Sequence, residues 1–251
     1  MCFSVAIVRN NTLLTLEKYY DSLPNNWERK NDLPEFPDYF FLSGFSLPLL
    51  PIIKDDGIFL HQWGLIPSWI KTEKDAHEIR SKTLNAKGET IFEKPSFKKC
   101  IQNQRCILPV AGFFEYREMN GLKYPYFIHS VDHDDFFLGS VYDRWINEES
   151  GEVLNTFSIV TTPANTLMEK IRNLKKRMPL IIRTKDSYQW IDRNTDLHLV
   201  EKLICPYDEL KMNAYTISRI ANNARMNRNL PEIMNEVVFT ELDAHIQTSL
   251  F

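Results

Sequence analysis

Paired runs of alternating apolar residues constrain this chain more than any other feature. The run 105–117 and the run 123–130 flank Asn120-Gly121, a dipeptide typical of two-residue hairpin turns. Such a turn places the second strand antiparallel to the first and directly beside it. The sequence therefore predicts an antiparallel hairpin at its centre.

The rest of the pattern adds further strands and a smaller number of helices. A second hairpin is predicted from the runs 136–145 and 153–162. Further strands are predicted at 2–8, 39–42, 58–65, 180–182 and 214–218. Helices are predicted at 10–20, 97–103, 163–173, 187–191 and 196–203. We therefore expect an α+β fold, a single domain over 1–251 with a barrel-like, mostly antiparallel β-sheet and inserted helices.

Before residue 100, three stretches receive no helix or strand in this prediction. Residues 21–38 are proline-containing and polar and are expected to form an irregular surface excursion. The proline segment around 48–51 is expected to separate two strands, and 67–95 is polar throughout.

The composition is that of an ordinary globular chain. Of 251 residues, 43% are hydrophobic and the formal net charge is −3, so any nucleic-acid surface must be a local patch. No apolar run approaches the about 20 residues that a membrane helix needs, and the first residues lack the pattern of a signal peptide. The four cysteines form no C-x-x-C pairing with histidine. We expect no metal, no cofactor and a reducing, cytoplasmic location.

Cys2 carries a chemical option that is special to a chain terminus. Removal of Met1 by an aminopeptidase, which small second residues permit, would leave Cys2 with an α-amine beside its thiol. These groups titrate near ~7.7–8.0 and ~8.5, so both are partly nucleophilic at neutral pH. The amine can attack an aldehyde to form a Schiff base, which the thiol can close into a five-membered ring. The alternative is a cysteine that merely packs at the start of the first strand.

Glu115 is the candidate acid–base group. Strand alternation places it on one face with Phe113 and Arg117, within the aromatic segment 112–116. Burial of that face would raise the pKa of the carboxyl toward the range of a general acid or base at neutral pH. Alternatively, Glu115 and Arg117 pair on a solvated face.

An asparagine and three aromatic residues are candidates for ligand contact. Asn85 lies in the polar stretch 84–90, where its amide either makes a turn or holds a ligand backbone. Trp63, Trp69 and Phe45 either stack on the bases of a single strand or pack in the core and its rim.

Basic side chains are concentrated at 170–183. This segment contains six Lys or Arg residues and no acidic residue, and Lys175, Lys176 and Arg177 stand at its centre. Such a cluster in an acidic chain suits phosphate contacts, although a solvated charged surface has the same composition.

Six short motifs occur along the chain in a fixed order. They are Met1-Cys2, WGLIPSW at 63–69, LNAKGET at 84–90, RCILPVAGFFEY at 105–116, TTPAN at 161–165 and RMPLII at 177–182. Together they resemble the SOS-response-associated peptidase (SRAP) family, the abasic-site processing proteins. The motifs span the chain to about residue 220, which leaves 221–251 as a C-terminal extension.

The resemblance implies an abasic-site sensor that binds single-stranded DNA. In the family, the amine matching Cys2 traps the sugar aldehyde and its thiol closes a thiazolidine, which crosslinks protein to DNA. The residue matching Glu115 assists proton transfer, and the residue matching Asn85 positions the sugar–phosphate. The resemblance also implies self-cleavage that exposes Cys2, the origin of the peptidase name, and a strand-nicking lyase activity through the imine.

The chain departs from the family pattern at Phe3-Ser4, at 42–45 and at two positions that carry charge. The family has a histidine where this chain has Arg172 and an arginine where it has Lys87. Arg172 stays protonated and cannot shuttle a proton, but it can bind a phosphate or stabilise an oxyanion. Lys87 offers a point charge in place of a two-pronged phosphate ligand. We expect crosslinking to persist, and the steps that need the histidine, crosslink reversal or strand cleavage, to be slower.

Two other functions fit the same residues. An N-terminal-nucleophile amidohydrolase would use the amine of Cys2 as the base for its own thiol. A binding module without chemistry would hold single-stranded DNA and form no adduct. For the leading hypothesis we expect a monomer whose partner is abasic single-stranded DNA, located in the cytoplasm on the nucleoid and without a membrane partner.

Overall fold

The computed structural model describes residues 2–21 and 34–242. Most of the predicted surface excursion at 21–38 lies outside these residues. The strands in the described part are β1 Ser4–Ile7, β2 Tyr39–Ser43, β3 Leu49–Lys54, β4 Gly57–Trp63, β5 Asn85–Lys87, β6 Arg105–Val110, β7 Gly112–Met119, β8 Leu122–Ser130, β9 Phe136–Ile146, β10 Val153–Pro163, β11 Arg177–Pro179, β12 Ile181–Ile182 and β13 Met212–Thr216. The α-helices in the same part are α1 Arg9–Asp21, α2 Glu73–Arg80, α3 Cys100–Asn103, α4 Thr166–Ile171, α5 Ser187–Ile191 and α6 Leu197–Leu203.

Five strands close into a barrel. β4 pairs with β3, β3 with β6, β6 with β9 and β9 with β10, and β10 returns to β4. In this ring the contact between β10 and β4 is parallel and the others are antiparallel. Strands β5 and β11 extend the sheet from β10, and β12 extends it from β9. The structure confirms the predicted α+β class and the barrel-like, mostly antiparallel sheet.

A second sheet covers one side of the molecule. Its strand order is β13-β8-β7-β1-β2, and all of its pairings are antiparallel. The predicted hairpin joins β7 to β8, and Asn120 and Gly121 have φ values of 53° and 74°. Positive φ at both positions is the requirement of a type I′ turn, which Asn-Gly meets with little strain.

The prediction of one strand over 105–117 is wrong. The run divides at Ala111 into β6, which belongs to the barrel, and β7, which belongs to the second sheet. The chain passes between the sheets at Gly112, where an added Cβ would lie 2.4 Å from the carbonyl oxygen of Ile128. The apolar pattern continues from β6 into β7 because both strands bury apolar side chains, so no break at Ala111 is visible in the sequence.

Strands β3, β5 and β11 and helix α2 were absent from the prediction. Strand β3 contains Pro51, which lies opposite Leu60 of β4, while the other neighbour of β3 pairs with it at Ile53 alone. A proline is tolerated where its missing N–H is not needed by a neighbouring strand. Helix α2 begins after Thr72, whose hydroxyl accepts a hydrogen bond from the backbone N–H of Asp75 at 3.1 Å.

Both faces of the barrel strand β6 are buried. On β6, Cys106 and Leu108 join the apolar cluster that contains Cys2 and Phe113, whereas Ile107 joins a second cluster on the opposite face. The start of the chain is thus built into the core between the barrel and the second sheet. None of the helices in the described ranges is long and apolar enough to cross a membrane.

Candidate functional site

Cys2 lies fully buried immediately before β1. Its carbonyl oxygen accepts a hydrogen bond from Nδ2 of Asn85 at 2.8 Å, which ties the chain start to the barrel. Burial raises the pKa of the thiol to about 12, and the negative charge of Glu115 adds to the rise while Arg172 opposes it. The thiol is therefore neutral at pH 7. Glu115 and Arg172 lie close enough to the sulfur for their charges to change its pKa.

Glu115 reaches this region through the register of the second sheet. Val5 of β1 lies opposite Phe113 of β7 in an antiparallel pairing, so the residues preceding β1 run alongside those that follow Phe113. Glu115 is 5% exposed, and burial raises the pKa of its carboxyl to about 7 against the lowering effect of Arg172. A carboxyl that titrates near neutrality can both accept and donate a proton at working pH.

Arg172 is the ion-pair partner of this carboxyl. Its Nη1 donates to Oε1 of Glu115 at 2.5 Å, so the pairing with Arg117 considered from the sequence is not the one formed. Arg172 follows the last residue of α4, a helix whose first N–H groups are capped by Asn165. Asn173 then exchanges two hydrogen bonds with the backbone of Glu118 on β7, which fixes Arg172 over that strand.

Asn85 comes from β5, the short strand that extends the barrel sheet from β10. It begins β5, lies opposite Ile159 of β10 and is buried. Its Nδ2 holds Cys2, but in residues 2–21 and 34–242 its Oδ1 finds no hydrogen-bond partner. A buried acceptor without a donor costs free energy, so a ligand group that donates a hydrogen bond there would be stabilised.

A cavity of about 310 Å³ opens beside the Glu115–Arg172 pair. Its volume is at the lower end of the range of small-ligand sites, ~300–1,000 Å³. Cys2 does not line it. The side chains that line it are Glu115, Tyr116, Glu118, Lys123, Arg172, Leu174, Lys175, Ala221, Asn222 and Arg228.

Lys123 and Asn222 in this lining were not predicted from the sequence. The signal for Lys123 is its place opposite Glu118 across the Asn120-Gly121 turn, which turns it toward the same end of β7. Asn222 has no comparable signal, because its position depends on a hydrogen bond from its Nδ2 to the carbonyl oxygen of Lys123 at 2.9 Å.

The three aromatic candidates have different environments. Trp63 is fully buried, and its Nε1 donates to the carbonyl oxygen of Leu84 at 2.8 Å, so its ring presents no face to a base. Phe45 is 60% exposed and lies with its ring centroid 5.0 Å from that of Phe3, next to Cys2 in sequence. Trp69 is 52% exposed. Phe45 and Trp69 therefore remain available for stacking.

The basic candidate residues also have different environments. Lys175 lines the cavity, whereas Lys176 lies 3.6 Å from a carboxylate oxygen of Glu169. Arg177 donates from two nitrogens to Glu89, at 2.6 and 2.8 Å, so its fork is already occupied. Lys87 ends β5, two residues after Asn85, and is exposed.

Among the described residues that line this cavity, Glu115 is the one whose pKa is raised to about 7. No histidine from the described part of the chain contributes to the cavity lining. The same residues contain no group of three or more His, Cys, Asp or Glu side chains placed to hold a metal ion. The arrangement combines a cysteine at the chain start, an amide that holds it, and a carboxyl that titrates near pH 7.

Comparison with known proteins gives relatives along almost the whole chain. It is 37% identical over 228 residues to the abasic site processing protein YoqW of Bacillus subtilis, covering 88% of this chain and 96% of the relative. The abasic site processing protein HMCES of Gallus gallus is 29% identical over 185 residues, covering 65% of this chain and 53% of that protein.

The fold has relatives among solved structures. A crystal structure of a protein from Bacteroides thetaiotaomicron is 34% identical, has a TM-score of 0.85 and is covered completely by 94% of this chain. A Bordetella bronchiseptica protein at 18% identity and a TM-score of 0.70 shares the fold. The model of the family described as SOS response associated peptidase (SRAP) matches residues 2–224. The chain belongs to the SRAP family.

Proposed function

We propose that this protein processes abasic sites in single-stranded DNA and is joined to them covalently through Cys2 after removal of Met1. The observation that carries the proposal is that the amide of Asn85 holds Cys2 in the region where the charges of Glu115 and Arg172 act on its thiol. The relatives named abasic site processing proteins support the same assignment.

Met1 must be removed because an amide nitrogen has no nucleophilic lone pair. The freed α-amine titrates near ~7.7–8.0, so a large fraction is protonated at pH 7. Ionised Glu115 accepts that proton, and the protonated carboxyl then donates it to the ring oxygen of the abasic sugar. The bond between C1 and the ring oxygen breaks, and the C1 hydroxyl gives its proton to the carboxylate of Glu115. The product is the open-chain aldehyde, the electrophile that the amine attacks.

The covalent steps balance without a co-reactant. The amine adds to the aldehyde carbon and water leaves, which gives the imine. The sulfur of Cys2 then adds to the imine carbon, and the thiol hydrogen ends on the nitrogen of the closed thiazolidine ring. A neutral thiol suits this last step, because the hydrogen it carries is the one that the ring nitrogen gains.

Asn85 assists these reaction steps through its position, and Arg172 assists them through its charge. The Oδ1 of Asn85 can accept a hydrogen bond from a sugar hydroxyl or from the new amine, since it has no donor among the described residues. Arg172 lowers the pKa of Glu115 and so keeps part of the carboxyl ionised at pH 7. We also propose slow strand cleavage through the imine, because the partner of Glu115 is Arg172, which stays protonated, and not a histidine that could shuttle a proton.

Intact-mass measurement after incubation with an abasic oligonucleotide tests the proposal. The expected product is the protein without Met1 plus the oligonucleotide minus one water. Cys2→Ala should lose the adduct that survives denaturation, while Cys205→Ala, which removes an exposed free cysteine, should keep it. Binding without an adduct would favour a non-catalytic module, and turnover of an amide without DNA binding would favour an amidohydrolase. Either result would overturn the proposal.

A further inference from the structure

The segment after residue 224, which the SRAP family model does not match, is fixed to the second sheet. Oδ1 of Asn229 accepts a hydrogen bond from the backbone N–H of Phe40 on β2 at 2.7 Å. Ile233 is buried in the apolar cluster on the outer face of this sheet. The N–H of Val237 donates to the carbonyl oxygen of Thr216 on β13 at 2.8 Å. The segment therefore crosses the outer face of the sheet between its two edges.

Arg228 lies on this segment at the wall of the cavity. Its guanidinium carbon is 4.4 Å from the ring centroid of Phe41, and Nη1 donates to the carbonyl oxygen of Ala221 at 3.3 Å. These contacts hold the guanidinium in place and use one of its five N–H donors. No carboxylate of residues 2–21 or 34–242 forms an ion pair with it.

The cavity has a surplus of positive charge. Four cations and two carboxylates line it, and Glu115 is paired with Arg172. The remaining lining charges are one carboxylate, Glu118, and three cations, Lys123, Lys175 and Arg228. None of these three cations forms an ion pair within the described residues. Unpaired cations around a cavity next to the reacting groups suit an anionic ligand. On a DNA strand, that ligand is a phosphate.

We propose that Arg228, together with Lys123 and Lys175, binds a backbone phosphate of the DNA strand beside the abasic sugar, so that the segment after residue 224 forms part of the substrate site. The proposal rests on the proposed function for the identity of the strand. Arg228 is the residue suited to a two-pronged phosphate contact, because its guanidinium is planar and held in place by Phe41.

Binding to a non-reactive strand tests this proposal apart from the chemistry. The probe is a fluorescein-labelled single-stranded oligonucleotide with a tetrahydrofuran abasic analogue, which has no aldehyde and forms no adduct. Arg228→Met removes the charge and keeps an apolar stem on Phe41. Arg225→Met is the matched control, since Arg225 is exposed on the same segment and does not line the cavity.

Arg228→Met should weaken binding about 10-fold at moderate salt and lower the slope of log K against log salt by roughly 0.7, the value for one phosphate contact on a single strand. Arg225→Met should change affinity less than about twofold, as expected of a charge outside the contact. Arg228→Lys, the variant least able to disturb folding, should keep the salt slope. Equal effects of Arg228→Met and Arg225→Met, or a reduced slope in Arg228→Lys, would overturn the proposal. Failure of adduct formation alone would overturn the proposed function and leave this one standing.

Discussion

Two glutamate–arginine pairs in this protein have the same chemistry and opposite electrostatics. Glu115 pairs with Arg172 at 2.5 Å in the core, and Glu89 pairs with Arg177 through two hydrogen bonds at the surface. The pKa of Glu115 is raised to about 7 because desolvation outweighs its arginine. The pKa of Glu89 is lowered by the hydrogen bond from Arg177, with 45% of the Glu89 side chain exposed.

The difference shows that burial decides what an arginine does to a carboxylate. In water-exposed surroundings the cation is the larger influence and the carboxylate stays ionised. In the core the cost of removing the charge from water is larger, so the same cation only moderates the rise. A buried pair can therefore hold a proton near neutral pH, whereas an exposed pair fixes two side chains. The raised pKa of Glu115 fits the proton transfer proposed for it, whereas Glu89 holds Arg177 of β11 in place.

The largest expected difference between the pairs is in the rate of adduct formation. Glu115→Gln keeps the shape and the hydrogen bond to Arg172 but removes proton transfer, which contributes typically 10²–10⁴-fold to such reactions. We expect the single-turnover rate with abasic single-stranded DNA to fall at least about 100-fold. Glu89→Gln, at saturating DNA, should stay within about twofold of the unmodified protein, because Glu89 lies in the exposed pair. Quenched samples resolved on denaturing gels give both rates.

The opposite result would remove the distinction between the pairs. If Glu115→Gln formed the adduct as fast as Glu89→Gln, the buried carboxyl would have no role in the chemistry and its raised pKa would be a consequence of packing alone.

The pH dependence of stability should also have opposite signs. Glu115 has its pKa raised from 4.5 to about 7, so the folded protein binds this proton more tightly than the unfolded chain. Its contribution is complete below the unfolded pKa and is lost as pH rises through about 7. A shift of this size corresponds to roughly 3 kcal/mol at most. Glu89 contributes above its ordinary pKa and loses that contribution as pH falls, by less than about 1 kcal/mol because the pair is exposed.

Urea unfolding at pH 3, pH 5 and pH 8 measures both contributions. Relative to Glu115→Gln, the unmodified protein should be more stable at pH 5 than at pH 8. Relative to Glu89→Gln, its advantage should be the same at pH 5 and pH 8, which both lie above the ordinary pKa of Glu89, and should shrink at pH 3. Asp135, whose pKa burial raises to about 6, is present in all three proteins and cancels in the differences. Parallel pH curves for Glu115→Gln and the unmodified protein would contradict the assignment.

The sequence allowed the elements and the candidate side chains to be predicted, but not their distances. Alternation on β7 placed Glu115 among aromatic residues, and the raised pKa agrees with burial there. No local pattern shows that Glu115 pairs with Arg172, because 57 residues separate them. Likewise, the hydrogen bond from Asn85 to Cys2 joins residues 83 apart in the chain.

A cluster of basic residues in the sequence did not predict which of them would lack an ion-pair partner in the fold. Lys175, Lys176 and Arg177 are consecutive, yet one faces the cavity, one lies near Glu169 and one is locked to Glu89. Trp63 shows the same limit for aromatics, since a family motif residue with a stacking ring is entirely in the core. Pairing and burial depend on long-range contacts, which composition and periodicity do not contain.

The smallest of the expected effects concerns Arg172. Replacing the arginine of each pair with histidine should affect the buried pair and leave the exposed pair unaffected. Histidine can shuttle a proton near neutral pH and arginine cannot, so Arg172→His should speed reversal of the crosslink, by at least about 10-fold. Arg177→His should not change it, because the exposed pair lies outside the cavity. Release of labelled DNA from purified adduct, with an aldehyde trap to prevent rejoining, measures reversal. An unchanged rate in Arg172→His would mean that proton supply beside Glu115 does not limit reversal, and that the carboxyl with its pKa of about 7 suffices for that step.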